Sequence, residues 1–287
     1  MRSVPASFIL PMIGLAWSGT ALAQPGEGGR PPGTGEGPPR ADFVTVGVIA
    51  AVGPTYQGSD NYRVLPLPSL RGRVSGFDFA TRGPGLTVDL IRESRPGDVN
   101  LILGPVARAR FDRNGGINDD PVEALGDVDI AFELGGTAGV AISGIFDRTD
   151  AITLQTDITF DVAGGHGGTV ISPSIAYRRV VGAAFVNIGV SANWADDDYH
   201  DTYFSIDAAG SAASGLPQFA ASSGFQDIGV SANIAYDLSG NPFDGGWGLF
   251  AIASYARMLG EAADSPVTSI RGDADQFFGG LGISYTF

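Results

Sequence analysis

The sequence predicts an all-β fold, a transmembrane antiparallel up-and-down β-barrel of about twelve strands. Three observations carry this reading. Residues 277–287 alternate, with Phe277, Leu281, Ile283, Tyr285 and Phe287 on one side and, after Phe278, the small or polar Gly280, Gly282, Ser284 and Thr286 on the other. A strand sends successive side chains to opposite faces, so this run has one apolar and one polar face. The chain is 44% hydrophobic, yet its apolar residues are dispersed and nowhere form a run long enough for a spanning helix. Finally, it holds 43 Gly and only 17 basic residues, all of them Arg. High glycine with few long charged side chains suits a membrane barrel better than a helical bundle.

The N-terminal region reads as an export signal. Arg2 precedes an apolar stretch over about residues 8–17, and Ala21-Leu22-Ala23 supplies the small residues of a cleavage site. Residues 1–23 are therefore expected to be a Sec-type signal peptide, cut near Ala23-Gln24. Residues 24–41 are rich in Pro and Gly and carry almost nothing to bury, which predicts an exposed periplasmic linker. Residues 42–287 show no further break in composition and read as one barrel domain.

Strands are expected near 43–52, 63–74, 77–83, 85–92, 99–112 and 127–143. The second half adds 151–162, 169–181, 183–195, 225–238, 247–260 and 275–287. Alternation is clearest in three of these. Ile152, Leu154, Ile158 and Phe160 oppose Thr153, Gln155, Asp157 and Thr159; Val186, Ile188 and Val190 oppose Asn187, Gly189 and Ser191. Ile228, Val230 and Ile234 oppose Asp227, Ser231 and Asn233. The weakest stretch is 63–92, where Pro66, Pro68 and Gly72 disfavour a regular strand. Short connections at Gly182, 144–150 and 239–246 fall on one side, while long ones at 113–126 and 196–224 fall on the other. That asymmetry is the one expected of a Gram-negative outer-membrane barrel, with short periplasmic turns and long outer loops.

The terminal set Phe277, Leu281, Ile283, Tyr285 and Phe287 is read as an assembly signal for the barrel-assembly machinery. Outer-membrane lipid and lipopolysaccharide are the expected surroundings. A formal charge of −14 argues against nucleic acid, which needs a basic footprint. The chain has no Cys, so neither a disulfide nor a thiolate metal site is expected. His166 lies among glycines and reads as a turn residue. His200 lies in the acidic run of residues 196–201, read as a solvated outer loop without the spacing of a calcium loop. No catalytic, cofactor or metal residues are expected, because no nucleophile elbow, zinc motif or phosphate loop is present.

Arginine is the more informative charge. Arg63, Arg82, Arg178 and Arg179 join Arg71 and Arg73, which share one face, and Arg108 and Arg110, which share another. An arginine facing lipid at mid-depth would cost about 2–4 kcal/mol, so these are expected to face a polar lumen. Asp157, Asp161 and Asp227 are the expected partners. Such pairs would either plug the barrel or form a charged constriction that selects solutes.

Several segments resemble the MipA/OmpV family, the MltA-interacting protein family of outer-membrane proteins. GPTYQGSDNYRVLPLPSL (53–70) is similar to the family's opening segment, and GGHGG (164–168) to its short turn. WADDDYHDTYFSID (194–207), SGFQDIGVSANIAYDL (223–238) and ARMLGEAADSPVT (256–268) resemble its later parts. The resemblance implies a non-enzymatic cell-envelope scaffold linking murein hydrolase and murein synthase proteins. The rival reading is a small porin-like diffusion channel or solute-binding barrel.

Overall fold

The computed structural model describes residues 42–92 and 99–287. The signal peptide, its cleavage position and the whole linker lie outside the described residues. The chain forms β1 (Phe43–Pro54), β2 (Tyr62–Val74), β3 (Phe77–Arg82), β4 (Gly85–Asp89), β5 (Val99–Arg110) and β6 (Ala131–Ser143). It continues with β7 (Ala151–Asp161), β8 (Thr169–Val181), β9 (Ala184–Ala195), β10 (Gly224–Asp237), β11 (Gly246–Met258) and β12 (Asp275–Thr286). Each strand pairs antiparallel with its sequence neighbours, and β1 closes on β12 with Thr45 opposite Thr286. The result is the closed twelve-strand barrel that the sequence predicts.

Alternation decides which face is which. On β7, Thr153, Gln155, Asp157 and Thr159 are buried inside, while Leu154, Ile158 and Phe160 are exposed outside. Val48, Leu101, Leu134, Val190, Val230 and Leu281 are likewise exposed. Such a continuous apolar exterior is not stable in water and calls for hydrocarbon around it.

The two ends differ. At one end the strands are joined by short turns, as at Gly182, whose φ of +59° suits a residue without Cβ. Trp247 packs on Tyr285 at 5.1 Å and Tyr285 on Phe287 at 4.8 Å, an aromatic cluster at that rim. At the other end the connections fold into α1 (Asp120–Glu123), α2 (Asp197–Phe204), α3 (Ala208–Ser214), α4 (Gly260–Asp264) and α5 (Pro266–Ser269). This corrects the expectation of a solvated loop over 196–201. The segment carries its own apolar side chains, and Tyr199, Tyr203, Phe204, Ile206 and Leu216 are all buried. They join two hydrophobic clusters with Met258 and Ala262 and with Tyr56, Ile117 and Val122, which together cap the lumen.

The acidic run has a local structural cause. Asp196 is the N-cap of α2 and accepts from Tyr199 N–H at 3.2 Å and from Thr169 N–H at 2.8 Å. Asp197 accepts from Ser223 N–H. Carboxylates at a helix start satisfy orphan amides and complement the helix dipole.

Pro66 and Pro68 do not break β2. β1 pairs along the whole of β2, from Phe43–Arg73 to Pro54–Tyr62. On the other edge β3 pairs only with Arg71–Val74, because the β3–β4 hairpin turns back at Gly83-Pro84. Leu70 N–H still reaches Thr81 Oγ1 at 3.0 Å. Amides alternate sides along a strand, so the amides of residues 68 and 66 would point into the gap above the hairpin. Both are prolines and have no N–H to leave unpaired. Both prolines thus sit where the β3-facing edge of β2 has no strand partner among the described residues. Pro105 acts similarly on β5: the β4–β5 ladder runs from Gly85–Arg108 to Thr87–Val106 and stops there.

Candidate functional site

The inward faces of β3, β5, β6 and β7 place a charge cluster beneath the cap. Its centre is Glu133 on β6, which is fully buried. Glu133 Oε1 accepts from Arg110 Nε at 2.6 Å, and Oε2 accepts from Thr159 Oγ1 at 2.8 Å. Arg108 Nη1 lies 3.6 Å from Glu133 and its Nη2 lies 4.0 Å from Asp157. Arg82 adds an ion pair to Asp157 at 3.4 Å and a hydrogen bond to Gln155 Oε1 at 2.9 Å. Buried charges are tolerated only when paired and hydrogen-bonded, and this cluster meets that requirement.

The cap is tied to the same cluster. Arg110 Nη1 donates to Tyr199 Oη on α2 at 3.0 Å, and Tyr199 Oη donates to Gln57 Oε1 at 2.9 Å. Gln226 Nε2 donates to the same Gln57 oxygen at 2.7 Å. Burial pushes the Tyr199 and Tyr203 phenols up, so both stay protonated. Arg113, just past β5, donates to the carbonyls of Tyr203 and Gly126, at 3.3 and 3.2 Å. A cation on the last turn of α2 complements the helix dipole. Arg271 closes the opposite side through Asp119, with Nη2 to Oδ2 at 2.9 Å.

His166 sits in the β7–β8 turn, but it is not a solvated turn residue. Its ring is buried and packs edge-on to Tyr199 at a centroid distance of 4.9 Å. Nδ1 accepts from Gly168 N–H at 3.0 Å, so Nε2 carries the proton toward Glu133 Oε1 at 3.2 Å. His200 also departs from expectation. It is fully buried on α2, between Tyr199 and Phe204, rather than in a solvated loop. Burial lowers its pKa from the ordinary 6.5.

The arginines and aspartates singled out by sequence do not all come together. Arg108, Arg110 and Asp157 come together, around Glu133. Asp161 and Asp227 pair otherwise. Asp161 accepts from the amides of Ala163, His166 and Gly167 at 3.0, 2.8 and 2.9 Å, holding the turn that buries His166. Asp227 accepts from Asn193 Nδ2 at 2.9 and 3.1 Å. Arg73 pairs with Asp78 at 2.6 Å, a carboxylate not singled out by sequence. Arg71 stands apart: among the described residues it reaches no carboxylate and instead lies against Phe43 and Phe185, at 6.0 and 5.6 Å. Arg63 reaches the carbonyls of Thr55 and Gly116 in the cap, and Arg179 meets Asp147 on the exposed short-turn end. Glu133 was legible in principle, because Phe132 and Leu134 on either side of it belong to the outward face.

The set Phe277, Leu281, Ile283, Tyr285 and Phe287 lies on the outward side of β12 and just beyond it. All but the partly buried Tyr285 are exposed. The acidic residues of the cap hold backbone amides, and among the described residues no group of three or more His, Asp or Glu is placed to hold a metal ion.

Comparison with known proteins adds the following. A family model described as MltA-interacting protein MipA matches residues 46–287. The MltA-interacting protein of Escherichia coli (strain K12) is 26% identical over 137 residues, covering 47% of this chain and 50% of that protein. The protein of the same name from Shigella flexneri gives the same figures: 26% identity, 47% and 50%. The chain thus spans about half the length of the curated relatives it matches. Among solved structures, an outer membrane channel from Pseudomonas putida F1 is similar with a TM-score of 0.43 and 12% identity, over 90% of this chain and 100% of that one. OmpT of Vibrio cholerae gives a TM-score of 0.32 and 11% identity, over 77% of this chain and 60% of that one.

Proposed function

The chain belongs to the MltA-interacting protein MipA family, and on that premise we propose that it is a non-enzymatic outer-membrane scaffold of the cell envelope. In this reading the barrel anchors murein hydrolase and synthase proteins at its short-turn, periplasmic end. The apolar exterior and the contrast between short turns and long connections support the outer-membrane setting. The name of the curated relatives supports a murein enzyme as partner.

The observation that carries the scaffold reading is the cap. Glu133 and Asp157 draw three arginines together, and Tyr199 locks the α2 segment onto that cluster. A lumen closed by packed side chains and ion pairs is a poor conduit. The alternative, a small porin-like diffusion channel, draws on the polar inner wall alone.

The test is capture of a purified MltA-type lytic transglycosylase by the detergent-solubilised barrel. Binding is expected to persist when residues 197–214 are replaced by a short linker. It is expected to fall when residues 24–41 are removed or the short-turn rim is substituted. Capture lost only with the cap segment would contradict the proposed topology of docking.

A further inference from the structure

We propose that the short-turn half of the lumen holds a binding site for a small organic carboxylate, anchored by Arg71. This goes beyond the scaffold reading and does not depend on it. A chamber of about 130 Å³ lies there, with Arg71, Thr45, Asn187 and Asn233 on its polar side and Phe250 and Ile252 on its apolar side. Thr45 and Asn187 stand near the strand ends that meet the short turns, which places the chamber away from the cap. No carboxylate lines it among the described residues.

Arg71 differs from the paired arginines around it. Its Nη1 is inaccessible and has no acceptor among the described residues. Its contacts are the rings of Phe43 and Phe185, at 6.0 and 5.6 Å. Asp78, the acidic residue on the facing strand β3, is taken by Arg73 at 2.6 Å. A guanidinium is a rigid planar fork that matches a carboxylate in two hydrogen bonds. Two flanking rings hold that fork by cation–π attraction without using its donors. A partly buried cation without an acceptor among the described residues is unfavourable, and an arriving anion removes that penalty. Phe250 and Ile252 opposite then favour a ligand with an apolar body rather than a bare inorganic anion.

Calorimetric titration of the detergent-refolded full chain tests this, with benzoate as probe and neutral benzamide and inorganic phosphate as comparisons. Saturable benzoate binding is expected, with benzamide binding at least tenfold more weakly. Arg71→Met is expected to weaken benzoate at least tenfold, and Arg71→Lys several-fold, with folding checked by heat-modifiable gel mobility. Equal affinity for benzamide and benzoate overturns the proposal on the unaltered protein alone. So do absent benzoate binding, unchanged affinity in Arg71→Met, or phosphate binding through Arg71 in place of benzoate.

Discussion

In the capped half of the lumen Arg82, Arg108 and Arg110 each reach a carboxylate, whereas in the short-turn half Arg71, among the described residues, reaches only two aromatic rings. Both are arginines on inward strand positions of one barrel. What differs is the chain overhead. Beneath the cap, Glu133 has to satisfy strand arginines and also the His166 ring brought in by a turn. Near the short turns no segment among the described residues folds inward, and Arg71 faces a chamber with a polar and an apolar side. The difference separates charges that hold the fold from one that remains available.

The largest expected effect follows from removing the hub. Glu133→Gln leaves Arg110 and Arg108 buried with a weaker acceptor, and should cost about 3–5 kcal/mol. Arg71→Met should cost less than about 1 kcal/mol, since only cation–π contacts are lost. Heat-modifiable gel mobility across a temperature series compares the two. Equal losses would erase the distinction between the halves.

Tyr199→Phe comes next. It removes the hydroxyl between Arg110 and Gln57, and should destabilise by about 1–3 kcal/mol. The neighbouring Tyr203 hydroxyl is buried without a hydrogen-bond partner. Tyr203→Phe should therefore be neutral to within about 0.5 kcal/mol, or slightly stabilising. Urea titration of the refolded barrels distinguishes the pair, and a larger loss from Tyr203→Phe would reverse the assignment of the cap's anchor.

The pH dependence of the cap is a smaller effect with a defined sign. Burial lowers the His200 pKa from 6.5, while Asp196, Asp197 and Glu261 nearby oppose the shift. The unfolded segment then binds a proton more readily than the folded one. The stabilising contribution is fully present above about pH 6.5 and declines as pH falls below it. Limited proteolysis of residues 196–223 should quicken from pH 7.5 to 5.5, and His200→Phe should flatten that slope.

The strands were legible because alternation is local: Leu154 and Gln155 announce opposite faces from sequence alone. Boundaries shifted where the adjoining loop reads like a continuation of the strand, so that the strand expected from 127 begins at Ala131 and the one expected to reach 92 ends at Asp89. Arg108, Arg110 and Asp157 could be placed in the lumen by parity. Their hub could not be paired with them, since Glu133 meets Arg110 only through barrel register, with Arg110 opposite Ala131. Asp161 and Asp227 looked equivalent to Asp157 in the sequence. Asp161 stands at a strand end where free turn amides compete for it, and Asp227 lies beside Asn193 across the β9–β10 pair. The cap was hidden for a different reason. Its acidic run reads as solvated, although those carboxylates hold helix and turn amides while the aromatic residues between them point inward.

The central claim is that the cap closes the lumen, and single-channel recording in planar bilayers tests it most directly. The unaltered barrel should give no sustained conductance steps, and replacement of residues 197–214 by a short linker should produce reproducible ones. Steps of equal size from both proteins would contradict the account.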